Sequence, residues 1–221
     1  MKALSLASRP ISVLLVDDHA VVRAGYRQLL EADADFDVCA EAGSGEQACR
    51  LAQESQPDVV VMDLSLPGIS GIEATRRICQ RNPEVRVLVF SMHEGDVFVE
   101  QALEAGAHGY IPKSSAPETL LEAVRAIAGG ERYIEGRLAS RLAVQRLRGG
   151  RAKSPIERLS SREFEIFCLL AEGRSAVEIG ERLSLSSKTV ANYATQIKSR
   201  LGVSSAAELT RLAIRYGVLE P

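Results

Sequence analysis

The chain has 221 residues, 46% of them hydrophobic and 25% charged, with a formal net charge of −2. That length suits two compact domains better than one, and no apolar run approaches the roughly 20 residues a membrane helix needs. The small net charge hides an asymmetry, since residues 1–133 hold 12 basic against 20 acidic side chains and residues 134–221 hold 15 against 9. The first half therefore suits a cation or a basic surface, and the second a polyanion such as nucleic acid.

The opening residues MKALSLASRP lack the apolar core of a secretory signal, so a cytoplasmic protein with no membrane partner is expected. Five apolar segments follow at even spacing: 11–16, 38–40, 59–62, 87–90 and 109–111. The first, third and fourth are unbroken Val, Ile and Leu runs, as in parallel strands covered on both faces. Helical patterns lie between them at 21–32, 45–54, 72–81, 97–105 and 117–128. Alternation of this kind predicts a doubly wound α/β domain whose ligand site lies beyond the carboxyl ends of the strands. Cys39, Cys49, Cys79 and Cys168 form no C-x-x-C pair and sit among apolar neighbours, as reduced core thiols do. His19, His93 and His108 read as surface or edge residues.

Past Gly129–Gly130 the pattern changes. Residues 137–153 carry six basic side chains and no acidic one, which predicts a helical extension and then a flexible linker at Gly149, Gly150 and Pro155. Beyond it Ser160-x-x-Glu163, Ser175-x-x-Glu178 and Ser205-x-x-Glu208 each match a capping box. With a fourth helix starting near Ser186, and Gly173 and Gly202 at helix ends, a four-helix domain is expected over residues 157–219. The expected division is 1–131, 132–156 and 157–221.

Chemistry-bearing residues gather at the ends of the predicted strands. The first ends in Asp17–Asp18, the third in Asp63 and the fourth in Ser91, and Lys113 follows the fifth. Three carboxylates on one edge repel one another unless a cation sits among them. Oxygen donors without spaced Cys or His favour Mg²⁺, which often completes its shell with phosphate. An Asp carboxylate can attack phosphorus while Mg²⁺, an ammonium and a hydroxyl neutralise the phosphoryl oxygens. Asp63 is the expected nucleophile. Asp18 is the expected direct metal ligand with Asp17 outside it, and Asp63 and the Ser65 carbonyl complete the set.

Asp17–Asp18, Asp63, Ser91, Tyr110 and Lys113 resemble, in order and approximate spacing, the receiver domain of two-component response regulators. The resemblance implies a flavodoxin-like (CheY-like) five-stranded parallel sheet. It also implies phosphorylation of Asp63 by a sensor histidine kinase, and a switch in which Ser91 follows the phosphoryl oxygens and Tyr110 changes its burial. Ser91 stands where many members have Thr.

In the helical half, Val190, Ala194, Ile197 and Leu201 make one apolar helix face. The opposite face presents Lys188, Ala191, Asn192, Thr195 and Lys198, short enough to enter a major groove; Asn192 suits adenine and the lysines suit phosphates. From "LSSREFEIFCLLAEG" to "RLGVSS" the chain resembles the LuxR-type helix-turn-helix of the NarL/FixJ subfamily, with the helix-turn-helix at 176–195. That implies binding to a double-stranded DNA operator through Lys188, Thr189, Ala191, Asn192, Thr195 and Lys198, as a homodimer when phosphorylated. The expected function is a DNA-binding transcriptional response regulator and not an enzyme. The alternative is a Mg²⁺-dependent phosphohydrolase acting through an aspartyl phosphate, although Ser65 stands where such enzymes often place a second Asp.

Overall fold

The unbroken apolar runs form the centre of a sheet. In the computed structural model, which describes residues 9–147 and 155–219, β1 (Ile11–Val16), β2 (Phe36–Ala42), β3 (Val59–Met62), β4 (Arg86–Ser91) and β5 (Gly109–Pro112) lie close to their predicted bounds. A sixth strand, β6 (Tyr133–Ile134), pairs in parallel with β5, so the sheet runs β2-β1-β3-β4-β5-β6 and the expected five strands become six. Two residues carry no readable period-2 pattern, which is why this strand escapes sequence reasoning.

Every residue of β3 is buried. Each fully buried Val or Met contributes about 1.5–3 kcal/mol, taken as an upper bound, so the strand that carries Asp63 is anchored by its neighbours. Helices α1 (Ala20–Glu31), α2 (Gly45–Ser55), α3 (Gly71–Arg81), α4 (Asp96–Glu104) and α5 (Pro117–Ala128) flank the sheet. Two separate apolar clusters result, one with Val13, Val59 and Leu88 and the other with Leu14, Val60 and Val87. Cys39 departs from the expected core thiol: it is exposed on β2, while Cys49, Cys79 and Cys168 are half-buried. β2 is an edge strand whose side chains alternate between core and solvent, and Cys39 falls on the solvent face.

The basic extension is α6 (Gly136–Leu147); the linker expected at Gly149–Gly150 lies outside the described residues. A 3₁₀ turn (Pro155–Arg158) leads into α7 (Ser161–Ala171), α8 (Ala176–Leu183), α9 (Ser187–Leu201) and α10 (Ala206–Arg215). All three predicted capping boxes close in both directions, and Ser186 caps α9 by accepting from Thr189 N–H. Gly202 ends α9 in the left-handed conformation at φ +66°, where glycine costs least.

The two halves touch. Phe98 of α4 and Phe164 of α7 meet edge to face with centroids 5.0 Å apart. Gly68 N–H donates to the Arg182 carbonyl at 3.0 Å, and the Gln101 side-chain amide donates to the Leu159 carbonyl at 3.5 Å. One apolar cluster runs through both halves, from Val97 and Phe98 to Phe164, Ile179 and Ile197.

Candidate functional site

Parallel strands end on one edge, and the loops there bring Asp17, Asp63 and Lys113 together. Asp17 follows β1 and Asp63 follows β3; both are buried, and both accept from Lys113 Nζ, at 2.5 and 2.7 Å. Burial alone would depress the Lys113 pKa, but Asp63 and Asp17 outweigh it and hold the ammonium above its ordinary value. The second oxygen of Asp17 accepts from His19 N–H at 2.8 Å, and that of Asp63 from Ser65 N–H at 3.3 Å.

Asp18 turns outward from this pair. Its carboxylate lies 2.7 Å from His19 Nδ1. Asp17, Asp18 and His19 each offer a donor atom within 4.8 Å of the others. Thus Asp17 bridges two groupings, one with Asp18 and His19, and one with Lys113 and Asp63. These carboxylates fit a hard divalent cation, because the buried pair shares a single ammonium and all their ligand atoms are oxygens.

A tight turn holds Asp63 in place. Gly71, at the start of α3, donates to the Leu64 carbonyl at 3.1 Å, and a Cβ on Gly71 would stand 1.9 Å from the Asp63 carbonyl oxygen. Neither atom belongs to a flexible side chain, so the loop itself must shift. Gly71→Ala should cost about 1–3 kcal/mol, read as a fall in unfolding midpoint. A variant as stable as the parent would show that this turn is not fixed.

Ser91 ends β4 and is fully buried; its Oγ accepts from His93 N–H at 3.3 Å. Tyr110 is also fully buried and donates to the His93 carbonyl at 2.6 Å, with burial pushing its phenol pKa up. His93 is where sequence reasoning goes astray. It is not a free surface residue: its ring lies 3.1 Å from Ser65 Oγ and stacks on Phe98 at 4.1 Å with the planes 8° apart. Ser65 and Phe98 both belong to the first half, with Phe164 of the second half meeting Phe98 behind the stack; no spacing rule around residue 93 signals this environment. His19 is exposed as expected, and His108 sits at the sheet edge accepting from Val87 N–H.

On α9 the apolar face is Val190, Ile197 and Leu201, buried, with Ala194 half-buried. Lys188, Ala191, Asn192 and Thr195 are exposed, and Thr189 and Lys198 half-buried. The receding face therefore remains open to solvent while the two halves are in contact. Two hydroxyls are engaged internally: Thr195 donates to the Ala191 carbonyl, and Thr189 pairs with Ser186. The α8–α9 turn is tight, since a Cβ on Gly180 would lie 2.6 Å from the Leu185 carbonyl.

Comparison with known proteins agrees with both halves. Residues 13–125 match the family "Response regulator receiver domain", and residues 157–213 match "Bacterial regulatory proteins, luxR family". The transcriptional activator protein ExaE of Pseudomonas putida is 47% identical over 95% of this chain and 98% of its own length. The response regulator UvrY of Escherichia coli K12 is 39% identical over 94% of this chain and 95% of its own. RcsB of Salmonella enterica serovar Typhimurium, solved on the rprA promoter with the phosphomimetic BeF3⁻, superposes with a TM-score of 0.66 at 27% identity, covering 92% of this chain and 98% of that one. Two matched domains in the same order, and relatives aligned over nearly their whole length, establish that the chain belongs to the NarL/FixJ response regulators, which join a receiver domain to a LuxR-type DNA-binding domain.

Proposed function

We propose that Asp63 is the phosphoacceptor of this regulator and that its phosphorylation by a sensor histidine kinase controls binding of α9 to an operator. The observation that carries the reading is the buried Asp63 carboxylate held by Lys113, on the edge where the neighbouring strand ends in Ser91. A carboxylate oxygen of Asp63 attacks phosphorus, the P–N bond to the kinase histidine breaks, and the imidazole leaves with the bonding pair. Lys113 Nζ already sits 2.7 Å from a carboxylate oxygen of Asp63, and it stabilises the charge that gathers on the transferred group. The buried Ser91 hydroxyl can then turn from His93 N–H to a phosphoryl oxygen.

Mg²⁺, held by Asp18, Asp63 and the Ser65 carbonyl with Asp17 outside, supplies neutralisation of the phosphoryl oxygens when bound. The exposure of Asp18 and the engagement of Asp17 by Lys113 support this division. Asp18→Asn should weaken Mg²⁺ binding by about tenfold or more, and Asp17→Asn by less, as measured by calorimetry; equal losses would reverse the ranking. Ser65 argues against the phosphohydrolase alternative, because its hydroxyl is occupied by His93 and offers no acid to a leaving group. Turnover of phosphate monoesters lost in Asp63→Ala would favour that alternative instead.

The exposed face of α9 supports DNA binding through Lys188, Thr189, Ala191, Asn192, Thr195 and Lys198. Because that face is open in the closed chain, phosphorylation acts by freeing the domain to pair as a homodimer and not by uncovering the helix. Log affinity for DNA should fall linearly with log salt. Lys188→Ala should lower the slope by about one unit on any sequence, and an unchanged slope would remove Lys188 from the phosphate contacts. Sequencing DNA selected by the phosphorylated chain, against Asp63→Ala, tests DNA binding and its control together. Among the described residues no helix is long and apolar enough to cross a membrane; the match of residues 157–213 to a DNA-binding regulator family supports a cytoplasmic place of action.

A further inference from the structure

The seam between the two domains holds a cavity of about 110 Å³. Protein interiors keep few voids larger than a water molecule, and roughly 150 Å³ of apolar cavity is enough to take up benzene, so this gap is close to the size of a small ring. Both domains build it, the receiver with Ile72, His93 and Phe98 and the DNA-binding domain with Phe164, Glu165 and Leu169. Contacts across the seam hold the walls in place. Phe98 meets Phe164 with centroids 5.0 Å apart, and Gly68 N–H donates to the Arg182 carbonyl at 3.0 Å. A site whose walls are already fixed loses little on ordering when it binds.

Polar groups sit among these apolar walls. Ser65 Oγ and His93 Nε2 satisfy each other at 3.1 Å. The half-buried Glu165 carboxyl does not close its own bonding: one oxygen accepts from Arg162 at 2.6 Å, and among the described residues the other has no hydrogen-bond partner. An acceptor in such a space gains from a donor brought to it. Water can supply the donor but cannot pack against phenyl rings; a small ring bearing a donor does both.

We propose that the seam cavity binds a flat, uncharged ring of about five or six atoms with one O–H or N–H donor, single-ring phenols being the simplest of the class. The ring packs against Phe98 and Phe164, and its donor meets the open oxygen of Glu165. Such a ligand touches both domains, so it binds the closed chain in preference to an open one and favours closure by mass action. The regulator thereby takes a chemical input that holds its DNA-binding domain against the receiver. No step of this input involves Asp63.

Phenol is the probe, and benzene is the same ring without the donor. Titrated into the full chain and followed by methyl resonances, phenol should shift Ile72 of the receiver and Leu169 of the DNA-binding domain along one saturating curve. Benzene should bind about tenfold more weakly, the loss of one hydrogen bond to a carboxyl. Glu165→Met keeps the length of the side chain and drops its acceptors, and should bring phenol down to the affinity of benzene. At about ten times its dissociation constant, phenol should slow hydrogen exchange in α4 and α7 about tenfold. Gly95→Ala places a Cβ 2.3 Å from the Gly217 carbonyl across the seam, away from the cavity walls, and should abolish the shared curve by parting the domains. Shifts confined to one domain, or shifts that never saturate, would overturn the site. Equal affinities for phenol and benzene, or parental phenol affinity in Glu165→Met, would overturn the donor contact and with it the ligand class.

Discussion

Asp63→Asn should leave a folded chain that takes up no phosphoryl group from a small-molecule donor or a kinase, and whose DNA affinity no longer changes when the donor is added. The amide keeps the shape of the carboxylate and can still accept from Lys113, so the buried ammonium retains a partner besides Asp17. What it lacks is a nucleophilic anion, since the amide oxygen carries no full charge with which to attack phosphorus. The loss should therefore be complete and not partial, read as an alkali- and hydroxylamine-labile adduct falling to background. Asp63→Ala is the harsher test, because it leaves the half-buried Lys113 with Asp17 as its one remaining carboxylate, at a cost below the roughly 3–5 kcal/mol of a fully stripped buried charge. Phosphate uptake by Asp63→Asn at the parental rate would move the acceptor elsewhere on this edge, and Asp17 is the remaining buried carboxylate there.

The ease with which this site can be read has a physical origin. Parallel strands buried on both faces must be apolar throughout, so the first charged residue after each run marks where the strand surfaces. Asp17, Asp63 and Lys113 stand at such breaks, and topology does the rest by putting all the breaks on one edge. The helix starts of the second domain were legible for a similar local reason, as a capping box needs only two residues three apart. The seam between the domains had no such signature. Phe98 and Phe164 fall on ordinary amphipathic helices, and nothing in their spacing says that they face each other across 66 positions of chain. His93 is half-buried and not at the surface, because Phe98 in the first turn of α4 stacks on its ring and Ser65 reaches it from the loop after β3; no periodicity marks either contact. Strand β6 was missed because two residues suffice to extend an existing edge once β5 offers its free backbone groups.

The second large effect concerns Glu165, which lies in the seam cavity with its carboxylate 2.6 Å from Arg162 Nη1. Burial pushes its pKa up to about 7, against the pull of Arg162 and then Arg182, and Glu73 of the receiver adds to the rise. A carboxyl whose folded-state pKa is raised contributes most when protonated, so its stabilising share is complete below the ordinary value near 4.5 and is lost as pH rises to about 7. Across that window the change amounts to roughly 3 kcal/mol as an upper bound. His93 acts in the opposite sense, because burial lowers its pKa and its charging works against the packed state as pH falls. Glu172, Arg182 and Cys168 line the same cavity. Glu165→Gln separates the two contributions, since it removes the carboxyl and leaves the imidazole. Urea unfolding of the intact chain should show the parent losing stability between pH 5 and pH 7 relative to Glu165→Gln, with the gap constant above about pH 7.5. Parallel stability curves for parent and variant across that range would mean that Glu165 remains ionised in the packed chain, with Arg162 and Arg182 outweighing its burial.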